Sequence, residues 1–248
     1  MSPLDSPSVL ITGASGGIGR VLAARLQERA WRVAVVGREL ARLEAVPAEL
    51  RIVADVTTPE GAAQALQACR AAWGQAPQHL AHAVGSTLIA PLHRTRPEAL
   101  QTVLQVNLLS ALYALQAWLQ AREGQGPGAA VFVSSVVARI GVASHEAIAA
   151  AKGGLEALVR SAAATYAPQG LRINAVAPGL TETPMTAAML RLPAQREAAE
   201  RQYPLGGVQT AEQVAGVMAW LLGPESDRLT GQVLAVDGGF STVRPLLR

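Results

Sequence analysis

The sequence predicts an α/β protein, a doubly wound parallel sheet of seven strands carried by one domain spanning 1–248. Three observations predict it. At 248 residues, half of them hydrophobic, the chain is long enough for one well-buried core and too short to divide comfortably into two. Short β-branched runs alternate with longer Ala/Leu-rich stretches, the pattern of parallel strands joined by helical crossovers. Several short runs are almost continuously apolar, as strands covered on both faces should be.

In chain order, strand 9–12 (Val-Leu-Ile-Thr) leads through a glycine-rich loop into helix 20–29. Strands 32–36 and 50–53 follow, then helix 59–73 and strand 80–84. Helix 97–120 contains the most apolar stretch, 103–119. Gln105, Asn107, Ser110 and Gln116 interrupt that stretch, which makes it a poor membrane span. It reads as a helix buried on nearly all sides, covered by its own core or by a partner, and so as a candidate subunit interface. Segment 124–128 reads as a flexible loop between this helix and strand 130–133. Helix 146–166, strand 173–176, helix 211–222 and strand 233–236 complete the fold. The polar insertion 181–204 is a candidate lid over a ligand. Its Met185, Met189, Leu190 and Leu192 form either an apolar contact surface or helix core.

Composition narrows the function. A net charge of +3 with scattered arginines does not indicate a nucleic-acid surface. The single cysteine, Cys69, sits among helix formers and reads as a packed apolar residue rather than a nucleophile. No metal site is predicted. Residues 1–7 carry neither a basic run nor a long apolar one, so a cytoplasmic protein is expected.

After the first strand comes Thr12-Gly13-Ala14-Ser15-Gly16-Gly17-Ile18-Gly19, opening directly into a helix. In this Rossmann-type context glycines permit a tight turn and close backbone approach, while the helix N-terminus can hold a pyrophosphate. At the end of the second strand, where a carboxylate would bind ribose hydroxyls, stands Gly37-Arg38. An arginine there suits a 2′-phosphate, so NADP(H) is favoured over NAD(H). Lys152 is the only lysine in the chain. An ammonium kept where arginine serves every other basic need points to a specific task.

Ser134-Ser135 followed by a helical stretch ending in Lys152, together with the spacing of Gly13, Gly17 and Gly19, resembles the short-chain dehydrogenase/reductase family. The resemblance covers nearly the whole chain. It implies a cofactor cradle of Gly13, Ser15, Gly17, Ile18 and Gly19, adenine contacts from Asp55 and Val56, and Gly85 as the retained glycine of His82-Ala83-Val84-Gly85. It places Pro178, Gly179, Thr181 and Thr183 beside the nicotinamide and matches Val236-Asp237-Gly238-Gly239 to the last strand. It also implies homodimers or homotetramers acting on a small-molecule substrate, with no nucleic-acid or membrane partner.

By the same resemblance, Lys152 binds the nicotinamide ribose, Ser135 positions the substrate carbonyl, and Asn107 supports a water-linked proton path. The family's acid/base tyrosine stands four residues before its lysine, where this chain has Ile148, which cannot donate a proton. His145, three residues before Ile148 and seven before Lys152, is the nearest titratable substitute on a shared helical face. At a helix N-terminus near an ammonium it is expected as a neutral N–H donor that polarises a carbonyl, or else as a cap-region residue lining the pocket. His82 is expected only to pack, and of Tyr113, Tyr166 and Tyr203 only the last is placed to reach the pocket. Two functions follow. One is an NADP(H)-dependent oxidoreductase on a carbonyl or secondary alcohol, with His145, water or the substrate supplying the proton. The other is a non-catalytic NADP(H)-binding sensor or inactive partner subunit. Retention of Ser135 and Asn107 favours the first, and loss of the tyrosine favours the second.

Overall fold

The computed structural model describes residues 6–244; residues 1–5, most of the opening segment read above, and 245–248 lie outside the described residues. The chain runs β1 (Ser8–Thr12), α1 (Gly17–Glu28), β2 (Arg32–Gly37), α2 (Leu40–Glu44), β3 (Leu50–Val53), α3 (Pro59–Trp73) and β4 (His79–His82). It continues through α4 (Pro97–Leu104), α5 (Ser110–Ala121), β5 (Gly128–Val133), α6 (Glu146–Tyr166), β6 (Leu171–Pro178) and β7 (Thr181–Glu182). The last elements are α7 (Pro193–Glu200), β8 (Gln209–Thr210), α8 (Ala211–Leu222) and β9 (Val233–Val236).

Seven strands form one parallel sheet in the order β3-β2-β1-β4-β5-β6-β9, while β7 and β8 pair separately. The chain winds outward from β1 to β3, then returns to lay β4 on the other side of β1. That reversal opens a crevice at the carboxyl ends of the strands, where such sheets bind ligands. Side chains alternate across the sheet. Val9 and Ile11 pack with α1 and α8 residues such as Leu22, Leu26 and Met218, whereas Leu10 joins Leu66, Trp118 and Leu155 of α3, α5 and α6. Cys69 is fully buried in the second cluster, and burial pushes its thiol up to about 12, which suits a packed residue.

Three expectations need correction. The 97–120 helix is interrupted by a π turn, Gln105–Leu109, between α4 and α5. It is also two-faced: Ala111, Ala114, Leu115 and Trp118 are core, whereas Leu104, Leu112 and Gln116 are exposed, because the helical period turns every third or fourth residue away from the sheet. By length and composition Pro97–Ala121 could cross a membrane, yet its apolar inner face is already spent on this core. Third, segment 124–128 is pinned rather than free. The buried Arg122 guanidinium donates to the carbonyls of Pro77, Gly126 and Pro127, and Gly128 is the first residue of β5. Helices α2 and α7 were not predicted; at five and eight residues they give little periodicity to read.

His79 couples the sheet to pH. Its Nδ1 accepts the Ala129 N–H at 3.1 Å, and burial, with Arg122 and Arg172 nearby, holds the imidazole down to about 3, against an ordinary 6.5. The fold disfavours the charged ring, so the stability tied to this group is fully present above about pH 6.5 and is lost as pH falls from there towards 3. His79→Gln keeps an acceptor without the titration. Denaturant unfolding at a series of pH values should show a slope between 6.5 and 3 smaller by about one proton than in the parent.

Candidate active site

The loop after β1 is shaped by what cannot fit into it. Gly13 has φ +70°, and a Cβ there would lie 2.6 Å from the Ala83 carbonyl, while one at Gly19 would lie 2.5 Å from the Gly13 oxygen. Close approach of backbones therefore excludes any side chain. Gly16, the N-cap of α1, offers no side-chain cap, so the first-turn N–H groups remain free and the positive end of the helix dipole opens on the crevice. A cradle of free N–H groups with no side chain in the way fits the pyrophosphate of a dinucleotide.

The loop forms one wall of a cleft of about 830 Å³ that follows the carboxyl edge of the sheet. The residues assigned from sequence to cofactor binding or catalysis line it: the cradle residues Ser15, Gly17 and Ile18; Arg38, Asp55, Val56 and Gly85; the segment Pro178, Gly179, Thr181 and Thr183; and Asn107, Ser135, His145 and Lys152, with Ile148 beside them. Arg38 is exposed and makes no hydrogen bond or ion pair among the described residues. Arg42, one turn on, lines the same end with Glu39 at 3.8 Å. Asp55 Oδ1 accepts from the N–H and hydroxyl of Thr57, which fixes its carboxylate at the edge of the cleft. Thr183 packs its methyl over Gly17, joining the 181–204 segment to the cradle.

At the centre Lys152 is 5 % exposed and donates to the Val133 carbonyl at 2.7 Å. Burial lowers its ammonium to about 8. A Cβ on Gly85 would stand 3.6 Å from Lys152 Nζ and 3.2 Å from Asn107 Oδ1, so the glycine leaves the approach to both open. Asn107 is committed locally. Its two N–H groups go to Ser86 Oγ and the Val103 carbonyl, and Oδ1 accepts the Ser86 N–H, so the side chain has no donor left for a water chain. These bonds tie the loop at Ser86 to the π turn.

Ser134 and Ser135 point to opposite sides of the strand end. Ser134 Oγ donates to buried Glu156 at 2.9 Å, a carboxylate that also pairs with Arg139 at 3.1 Å. Ser135 Oγ accepts the Val137 N–H at 3.4 Å, which leaves its own proton free on the cleft side. Ile148 packs with Val103 and Ala151 and forms an apolar wall.

His145 takes the cap-region place, one of the two expected from sequence: it is the N-cap of α6, with φ −113° and ψ 16°. Ser144 before it is left-handed, φ +62°, and its carbonyl accepts the Ala90 N–H at 2.9 Å. His145 Nδ1 lies 2.7 Å from the Ala143 carbonyl. A carbonyl only accepts, so Nδ1 carries the proton and the neutral ring keeps a lone pair on Nε2. The arrangement therefore provides a proton acceptor, or a donor once the ring is charged, and not the neutral N–H donor expected from sequence. His82 does not line the cleft. It bridges Thr12 Oγ1 at 2.8 Å and Ser110 Oγ at 3.1 Å, and burial, then Lys152, hold it down to about 3.

The far end is closed by the 181–204 segment, from which Met185 and Met189 line the cleft while Leu190 is core and Leu192 exposed. Tyr203 lines it too, its hydroxyl accepting the Leu180 N–H at 2.7 Å, whereas Tyr113 and Tyr166 lie elsewhere. Sequence reasoning missed Arg42 and Phe240. Spacing from Arg38 signalled the first. Nothing signalled the second, which reaches the cleft because Asp237 closes the turn after β9 onto Gly239 and Ser241.

Sheet order, free helix N-terminus and central lysine define a dinucleotide-binding α/β oxidoreductase. The family model described as enoyl-(acyl carrier protein) reductase matches residues 13–241. Cis-4-hydroxycyclohexanecarboxylate dehydrogenase of Sinomonas cyclohexanicum is 35% identical over 243 residues, 94% of this chain and 96% of that protein. Carbonyl reductase family member 4 of Danio rerio is 36% identical over 237 residues, 93% and 96% of the two chains. Actinorhodin polyketide ketoreductase, solved with NADPH, superposes with a TM-score of 0.92 at 25% identity, covering 98% of this chain and all of that one. The chain belongs to the short-chain dehydrogenase/reductase family, oxidoreductases of carbonyls and alcohols.

An anionic dinucleotide drawn against Lys152 favours its ammonium. Affinity for NADPH, followed by fluorescence titration, should therefore fall as pH rises through about 8, with proton uptake on binding at that pH. Lys152→Met should bind about tenfold or more weakly at pH 7 and lose this dependence.

Proposed function

We propose that the protein is an NADP(H)-dependent oxidoreductase that interconverts a carbonyl and a secondary alcohol, with His145 as the proton-exchanging side chain. The observation that carries this reading is the His145 ring, anchored through Nδ1 to the Ala143 carbonyl in the same cleft wall as Ser135, Ile148 and Lys152. Ile148 stands where the family's tyrosine would, and His145 and Lys152 are the titratable side chains that α6 and its cap bring to the cleft among the described residues.

When bound, the nicotinamide supplies or accepts the hydride. The free Ser135 hydroxyl donates to the substrate oxygen and holds it. In oxidation, neutral His145 takes the hydroxyl proton on Nε2, and the Ala143 carbonyl steadies the resulting imidazolium. In reduction the charged ring returns that proton. Lys152, with one N–H on Val133, keeps two for the ribose hydroxyls. Arg38 and Arg42 hold the 2′-phosphate, which is the basis for NADP(H) over NAD(H). Residues 181–204 form the lid. Leu112, Leu119 and Leu158 around the α5–α6 groove support a homo-oligomer joined through these helices. The packing of Ile148 favours a second reading, a nucleotide-binding protein without turnover.

NADPH consumption against a panel of ketones, aldehydes and quinones decides between them. Tight binding with no turnover on any acceptor would leave the second reading. Where turnover is found, His145→Ala should lower kcat by about 10²–10⁴-fold with NADPH affinity unchanged. Retained turnover would show that the proton comes from elsewhere. Arg38→Asp combined with Arg42→Ala should cut the preference for NADPH over NADH by about tenfold or more, measured as the ratio of kcat/KM values.

A further inference from the structure

We infer that the substrate is neutral and largely apolar; this rests on the oxidoreductase reading above. The cleft divides by charge. Its formally charged lining residues other than Lys152 are Arg38, Glu39, Arg42 and Asp55, all at the ends of β2 and β3, on the cradle side. The half walled by α6, the 136–142 loop, the 184–203 segment and Phe240 carries no Asp, Glu, Lys or Arg among the described residues. Lys152 stands at the border, with its amine turned to Val133. Ile89, Val142, Ile148, Met185, Met189 and Phe240 supply the surface of that half.

The neutral polar groups there are mostly spent on the protein itself. Thr186 Oγ1 accepts from the Thr183 N–H and donates to the Thr181 carbonyl. The Tyr203 hydroxyl takes the Leu180 N–H, Gln202 Nε2 donates to the Ala198 carbonyl, and Ser86 Oγ takes an Asn107 N–H. Of the charged side chains of the segment, Arg196 pairs with both Glu182 and Glu200, and none of the three lines the cleft. What remains unspent among these neutral groups is the His145 ring and the hydroxyl protons of Ser135, Ser86 and Tyr203, none of which brings an Asp, Glu, Lys or Arg charge to that half. A carboxylate, sulfonate or phosphate on the substrate would be buried without a counter-charge, and burying an unpaired charge is strongly unfavourable. A ring or chain of hydrocarbon suits the two methionines, whose flexible thioethers adapt to irregular apolar shapes.

The test separates binding from turnover by saturating the protein with NADP⁺, which cannot reduce a ketone. Calorimetric titration then compares 4-tert-butylcyclohexanone with 4-oxocyclohexanecarboxylate, two ketones on the same ring. The neutral ketone should bind at least tenfold tighter, and Met189→Arg, which places a cation in the apolar half, should narrow or reverse the preference. Equal or tighter binding of the carboxylate to the parent protein, or binding of neither compound at millimolar concentration, would overturn the inference. Activity is read separately with NADPH. A neutral preference without NADPH consumption would sink the oxidoreductase reading alone, and turnover that prefers the carboxylate would sink only this one.

Discussion

The bond from the Lys152 ammonium to the Val133 carbonyl sets the geometry of the centre. A nearly fully buried cation is costly unless something accepts its protons. The carbonyl that does so is at the very end of β5, beyond which the chain leaves the sheet. One hydrogen bond thereby fastens α6 to the sheet edge at the point where Ser134 and Ser135 begin the next loop. The neighbours share the consequence. Position 85 has no side chain within reach of the amine, and His82 is held uncharged beneath it. With burial lowering the ammonium to about 8, the group stays a cation near neutrality with little margin, so an incoming anion meets a charge that it strengthens.

The two serines show how a strand end divides structural from chemical work. Successive side chains on extended backbone point to opposite faces. Ser134 turns inward to Glu156, one helical turn after Lys152, and Arg139 closes the same carboxylate from the loop. Ser135 turns out to the cleft. The buried carboxylate fixes the loop at two points on either side of Ser135, so the direction of its free proton is set by contacts within the protein. Lys152 and Glu156, four residues apart on α6, act on the two ends of one short segment.

Much of this was legible in the sequence, and the reasons differ by element. Central strands such as β1, β2 and β5 announce themselves as near-continuous apolar runs because helices cover both faces; the edge strand β3, half exposed, and β4, with a histidine at each end, still carry apolar residues at their centres. The glycine loop is legible because its spacing records backbone contacts that forbid a Cβ. The π turn at Gln105–Leu109 is not, since one extra residue in a helical turn leaves the apolar pattern on both sides intact. Nor was the commitment of Asn107 to Ser86, a contact across 21 residues that depends on how the loop after β4 folds back. The charge-free half of the cleft belongs to the same class. Its residues come from five separate segments, and only the assembled fold shows that none of them brings a charge.

His145 illustrates the limit most sharply. Sequence places it near Lys152 at the start of a helix, either sharing a helical face or as a cap-region residue. The backbone makes it the cap, and Ser144 before it takes a left-handed conformation that an L-residue adopts at a cost. Loop 86–90 offsets that cost through the hydrogen bond from the Ala90 N–H, and the reversal brings Ala143 back within reach of the ring. The tautomer follows from that return of the chain and not from the charges around the ring. A histidine whose Nδ1 is bound to a carbonyl can cycle a proton through Nε2 without reorienting. On the proposed reading, isoleucine at position 148, three residues later, leaves a proton-transfer site in this cleft, one turn nearer the start of α6.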